Sequence, residues 1–187
     1  KSSSEALYKD IIEVLNLYNN KIKDKKRSRS ESSTCELKKI IKSVIETHKN
    51  SLIENNIEIN LKIPVNLQVG LSYAEGIVVF DNLFRNSIKA LIPLDVTEKS
   101  IQIETHIDKN NLVISFSDSG PGIPVNDKPY LFDTRHSRAG KDLGLGLSIV
   151  REVLFERGGL IQLNEEKSFT CFELRFHKNS DFLFKEQ

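Results

Sequence analysis

No methionine and no tryptophan occur among the 187 residues, and there are only two cysteines, Cys35 and Cys171. Two thiols so far apart make neither a disulfide framework nor a Cys-x-x-Cys metal site. They read as reduced thiols of an intracellular protein, with cytoplasmic location the expectation and a single bridge left open. An excess of either charge is lacking too: 27 basic residues face 26 acidic ones, so bulk charge gives no argument for nucleic acid or a membrane as partner. No apolar run approaches the roughly 18 residues of a membrane span, and no signal peptide opens the chain. Beginning at Lys1 and lacking Met, the sequence reads as a piece of a longer protein.

Glycine and proline are sparse, at nine and five, which makes their clustering informative. Five of the glycines fall between 120 and 146, in "DSGPGIP" and "GKDLGLGLSIV". The rest of the chain carries periodic patterns. Leu7, Ile11, Val14, Tyr18 and Ile22 mark a helix over 1–26 with a narrow apolar stripe, suited to another helix or a symmetry mate, or to its own domain. Residues 27–33 are polar and basic and read as a linker. From 34 to 187 the pattern is globular. "CELKKIIKSVIETHKNSLI" predicts a helix with Ser32, Ser33 and Thr34 as candidate caps, "IEINLKI" a strand, and "YAEGIVVFDNLFRNSIKALI" a helix ending near Pro93. "SIQIETHID" and "LVISFSD" form a hairpin about "KNN". "LGLSIVREVLFER" is a helix closed by Gly158 and Gly159, and "LIQLNE" and "FTCFELRF" a second hairpin. The fold class is α+β, a two-layer sandwich of a mixed sheet with helices on one face.

Three stretches carry chemistry. Asp118 shares strand parity with Leu112, Ile114 and Phe116 and so turns toward their apolar side. A carboxylate there costs several kcal/mol unless something hydrogen-bonds to it, so a partner is implied, in the protein or on a ligand; a Gly/Pro turn with an Asp-turn bond would also account for the stretch. On the long helix, Asn82, Asn86 and Lys89 stand at i, i+4 and i+7, within about 60° of one another. An amide oxygen there suits Mg²⁺ and the amine a phosphate, although a solvated flank would carry the same residues. Gly144, Leu145, Gly146 and Leu147 open a helix, where free amides and the dipole favour an anion; a tight loop under a sheet is the plainer reading.

The order of the three resembles the ATP-binding domain shared by gyrases, heat-shock chaperones, sensor histidine kinases and mismatch-repair proteins, over about residues 34–177. The resemblance is closest to histidine kinases. "NLFRNSIK" matches their N-L-x-x-N-A-x-K box at Asn82, Leu83, Asn86 and Lys89, with Ser87 in place of Ala. Asp118, Gly120 and Gly122 match the first glycine box and Gly144 to Leu147 the second. Phe132 in "YLFDTRHSR" matches the phenylalanine box.

The resemblance implies ATP and Mg²⁺ as cofactors. Asp118 would accept from the exocyclic amine of adenine, and Gly122 would let the backbone clear the base, with Ile123 and Phe132 beside the nucleotide. Asn82, Asn86 and Lys89 would form the catalytic set, Asn86 on the metal, and the Gly144–Leu147 amides would hold phosphates. Residues 123–142 would be the lid. By charge and position Arg135, His136, Arg138 and Lys141 are candidate phosphate contacts within it, or solvated loop residues. The activity implied is that of a protein histidine kinase in two-component signalling. Its partners would be a histidine-containing dimerisation domain and a response regulator, with 1–26 the end of a dimerisation hairpin and a homodimer formed through it. No nucleic acid or membrane contact is expected of this segment.

Two positions bear on the resemblance, Ala90 on one side of the nucleotide contact and Asn82 on the branch of the family. Ala90 stands where kinases often carry an aromatic residue. Asn82 stands where autonomous ATPases of the family carry the glutamate that activates water; an amide cannot take that proton, and a missing general base forfeits roughly 10² to 10⁴ in rate. Kinase chemistry is therefore expected over an ATP-gated switch of the chaperone, repair or gyrase type, or a degenerate nucleotide-binding module. No histidine is a convincing phosphoacceptor: His48 is expected as a surface helix residue, and His106, His136 and His177 fall on strands or the lid.

Overall fold

The computed structural model describes residues 34–133 and 145–177. The expected N-terminal helix, the linker and the segment holding Arg135, His136, Arg138, Lys141 and Gly144 lie outside them.

The first elements differ from expectation at one boundary. Cys35–Glu36 form a short strand, β1, pairing antiparallel with β3, Gln68–Val69, and the helix α1 runs over Leu37–Glu54. Thr34 therefore does not cap it. Glu36 holds the N-cap position without a side-chain bond; the free amide of Leu37 instead donates to the Leu67 carbonyl at 2.8 Å, a satisfaction of the helix end that no local motif announces. Leu37, Ile40, Ile41 and Val44 bury one stripe of α1, and Asn56, at φ 53°, turns the chain out through the left-handed region into β2, Ile57–Lys62.

The second helix, α2, Tyr73–Leu91, opens with a reciprocal cap. The Glu75 amide donates to Ser72 Oγ at 3.3 Å and the Ser72 amide to Glu75 Oε2 at 2.8 Å, satisfying two orphan donors. At Gly76 a Cβ would stand 2.4 Å from Ile40 Cδ1, so this glycine lets α1 and α2 approach closely. β4, Lys99–Asp108, and β5, Asn111–Asp118, form the first hairpin, with Lys109 at φ 54° in its turn. The third helix, α3, Leu145–Glu156, is followed by Gly158 at φ 70°. Then β6, Gly159–Leu163, pairs with β7, Cys171–His177.

The main sheet has the order β2-β4-β5-β7-β6, with β2 and β4 parallel and the other pairs antiparallel. Register stacks Ile103, Phe116 and Phe172 across one face, and beside them Ile114 and Leu174. All are buried, and Phe84 of α2 meets Phe116 edge to face at 5.3 Å between centroids. The helices thus cover this face, as the alternation predicts. The opposite face is polar: Arg175 bridges Glu173 at 2.7 Å and Asp108 at 3.0 Å. Asp118, at the end of β5, has the parity of the helix-covered face, which places its carboxylate beneath α2. No described helix is long and apolar enough to cross a membrane.

Candidate functional site

Asp118 is 4% exposed, and both its oxygens are engaged from within the protein. Ser87 Oγ of α2 donates to Oδ2 at 2.6 Å, and the Gly120 amide donates to Oδ1 at 2.9 Å. The Asp118 amide in turn donates to the Thr170 carbonyl at 3.1 Å, and the Thr170 side chain adds a bond to the carboxylate. Burial pushes the carboxyl above its ordinary value, against the pull of Ser87, Gly120 and Thr170 toward the ionised form. The glycine spacing follows from this contact. A Cβ on Gly120 would lie 2.6 Å from Asp118 Oδ1, with Ala90 Cβ on its other side at 3.5 Å. Gly122 sits at φ 76°, where a side chain is strained. Ile123, next in the chain, is half-buried.

Along α2 the three expected polar residues have different surroundings. Asn82 Nδ2 donates to the Val78 carbonyl at 2.7 Å, and its Oδ1 faces the first turn of α3, since a Cβ on Gly146 would stand 2.7 Å from it. The two boxes therefore meet at Asn82 and Gly146. Among the described residues, Asn86 Nδ2 is enclosed without a hydrogen-bond partner. A donor left so costs about 1–3 kcal/mol. Lys89 is exposed at the end of the stripe.

Leu145 is partly exposed and Leu147 is buried in the core. From Leu147 only the backbone can face a ligand, as the first-turn amides of a helix do. Phe132 meets Phe172 of β7 edge to face at 6.4 Å, and Arg151 of α3 stands 5.9 Å from its ring centroid. Among the described residues no three His, Cys, Asp or Glu side chains gather as a metal site. A hard cation here would take one amide oxygen and complete its shell with phosphate and water, which is how Mg²⁺ is commonly held.

Several residues that shape the site escaped the sequence. Ser87 stood out only as a departure from Ala, yet it lies on the buried stripe of α2 with Phe80, Phe84 and Ile88; a hydroxyl on such a stripe signals a polar partner beneath. Arg151 and Thr170 carried no local signal. His48 is corrected: it is half-buried, bonds Asp81 Oδ1 through Nε2 at 2.7 Å and stacks on Phe84. Asp81 also accepts from Arg85 at 2.7 Å, so this carboxylate ties α1 to α2.

The model of the histidine kinase-, DNA gyrase B- and HSP90-like ATPases matches residues 77–180. The signal transduction histidine-protein kinase ArlS of Staphylococcus aureus strain USA300 is 33% identical over 104 residues, which cover 52% of this chain and 23% of ArlS. The chain thus spans less than a quarter of that relative. Among solved structures, the nucleotide-free catalytic domain of histidine kinase ThkA superposes with a TM-score of 0.67 at 25% identity, covering 79% of this chain and 98% of that one. The mycobacterial sensor histidine kinase MprB, at 19% identity and TM-score 0.63 over 79% of this chain and 97% of its own, shares the fold.

Proposed function

This chain belongs to the histidine kinase-, DNA gyrase B- and HSP90-like ATPase family, and on that premise we propose that it is the ATP-binding catalytic domain of a sensor histidine kinase. In this reading it takes Mg-ATP and donates the γ-phosphate to a histidine on a separate dimerisation domain, from which a response regulator receives it. The observation that carries the reading is Asp118. A carboxylate buried at a strand end, with donors from Ser87 and Gly120 on its two oxygens and a third from Thr170, still has about one of its four lone pairs left for an exocyclic amine. As an acceptor-only group it favours adenine over guanine, which presents a carbonyl at that place.

Asn86 suits the metal. It stands half-buried one turn along α2 from Asn82, and its amide oxygen is the kind of hard ligand Mg²⁺ takes. Bound there, the ion would screen charge on the phosphates. The first-turn amides of α3 and the Lys89 ammonium would hold the phosphate chain. Asn82 is occupied with Val78 and packs on Gly146, and as an amide it cannot activate water. Transfer by positioning and charge is favoured over hydrolysis, which supports a kinase over an ATP-gated switch.

The test is calorimetric titration of the chain with a non-hydrolysable ATP analogue, with and without Mg²⁺, alongside GTP. Saturable, adenine-selective and Mg²⁺-dependent binding is expected. Absence of binding at millimolar ligand overturns the reading.

A further inference from the structure

Ser87 and Asp118 are both nearly sealed from solvent, at 3% and 4% exposure, and they join two elements far apart in the chain. The hydroxyl has a single proton, and at 2.6 Å it goes to Asp118 Oδ2. The Gly120 amide takes a lone pair on the other oxygen. Donors on both oxygens fix the plane of the carboxylate and favour its ionised form, and with the Thr170 side chain as a third donor about one of its four lone-pair positions stays available. We infer that Ser87 is a specificity-determining positioning residue, which holds Asp118 as an oriented, acceptor-only carboxylate and so makes the site accept a 6-amino purine and reject a 6-keto one. The inference rests on the nucleotide reading above.

The chemistry of the two bases decides the outcome. A 6-amino group presents a proton to the carboxylate. A 6-keto group presents lone pairs, and two acceptors facing each other in a buried site lose affinity. Discrimination fails if Asp118 acquires a proton, because a carboxylic acid can donate to the keto oxygen, or if the carboxylate turns aside. Ser87 opposes both. Burial works toward the first, since it disfavours the ionised form, and the smaller side chain of alanine would leave Gly120 and Thr170 to resist it. Ser87 also stands next to Asn86 on α2, so the residue that orients the base contact is continuous in the chain with the one assigned to the metal.

The test compares the 187-residue chain with Ser87→Ala and the nearly isosteric Ser87→Cys, whose thiol is a weak donor. The affinities of ATP and inosine triphosphate are measured by calorimetry, and folding is checked by thermal melts. The wild type is expected to prefer ATP, and the ratio to fall about tenfold in Ser87→Ala, a change of about 1.4 kcal/mol. Ser87→Cys fills the same space and is expected to show the same loss, which answers the question where the alanine variant fails to fold. A purely structural tether would lower the melting temperature and leave the ratio untouched, and a folded variant with the wild-type ratio overturns the inference alone. A wild type that binds neither nucleotide overturns it together with the nucleotide reading.

Discussion

Gly146 and Asn82 are packed so closely that a Cβ on the glycine would lie 2.7 Å from the asparagine Oδ1. Gly146 has ordinary helical surroundings in the first turn of α3, where alanine is the better helix former by roughly 1 kcal/mol. Propensity and sterics therefore oppose each other in Gly146→Ala. The clash is with a side chain itself bonded to Val78, so either Asn82 gives up that bond or the first turn of α3 moves. We expect a melting temperature within a few degrees of wild type and a loss of nucleotide affinity of tenfold or more. Thermal melts and titration with the ATP analogue check both, and unchanged affinity would remove this contact from the phosphate end of the site.

Asp118→Asn separates function from stability. Burial raises the carboxyl of Asp118, with Ser87, Gly120 and Thr170 opposing; the Cys171 thiol, pushed up mainly by burial, also feels the Asp118 charge. A carboxyl raised in the folded state binds its proton more tightly there than when unfolded. Its ionisation thus costs stability as pH rises from the ordinary value of 3.8 through the folded one. The neutral amide avoids that cost, but its NH2 replaces an oxygen that accepts from Ser87, whose hydroxyl must turn to accept instead, so the variant is expected to melt within a few degrees of the wild type at pH 7. It presents a donor where an acceptor is needed, so the preference for ATP over GTP should collapse. In the wild type, ATP affinity should fall as pH is lowered through the raised value. Unchanged base preference in the variant would exclude the assigned role.

The fold was legible because its periods are unambiguous. Phe80, Phe84, Ile88 and Leu91 repeat as one helical face, and Ile101/Ile103 and Ile114/Phe116 alternate as strands, so type and order of the long elements followed. The start of α1 was not legible, because its first amide is satisfied by Leu67, and a tertiary acceptor leaves no mark beside Thr34. At the site, parity alone placed Asp118 under the helices and required a partner for it. Which partner is a question of distance across 31 residues of chain, and Ser87 answers it only in three dimensions. His48 failed for the same reason: its pairing with Asp81 is set by how α1 crosses α2.

Glu75 and Arg157 make an acid-sensitive brace. Arg157 donates to Glu75 Oε1 through Nη2 at 2.7 Å and Nε at 3.1 Å, joining the end of α3 to the capped start of α2. Burial alone would raise the Glu75 carboxyl, but Arg157 and the Ser72 amide and hydroxyl outweigh it and hold the group below its ordinary 4.5. A depressed carboxyl contributes stability that is present above the unfolded value and lost as pH falls through the folded one. Arg157→Ala removes a charge-assisted bond worth about 1.5–3 kcal/mol, and at about 2–4 °C per kcal/mol should lower the melting temperature by several degrees at pH 7. The difference from wild type should shrink below pH 4.5. Melts across pH 3–7 check it, and a constant gap would show that the brace acts by packing alone.

Asn86→Ala tests the metal assignment without confusing it with folding. The enclosed Nδ2 has no partner among the described residues, so truncating the half-buried side chain removes a desolvated donor. Loss of an unsatisfied donor, worth about 1–3 kcal/mol, offsets the lost packing, so stability should change little or rise. If the amide oxygen holds Mg²⁺ against the phosphates, the variant should bind the ATP analogue equally well with and without the ion, at the weaker of the two wild-type affinities. A variant that melts like wild type yet keeps the full Mg²⁺ dependence would take Asn86 out of the metal site.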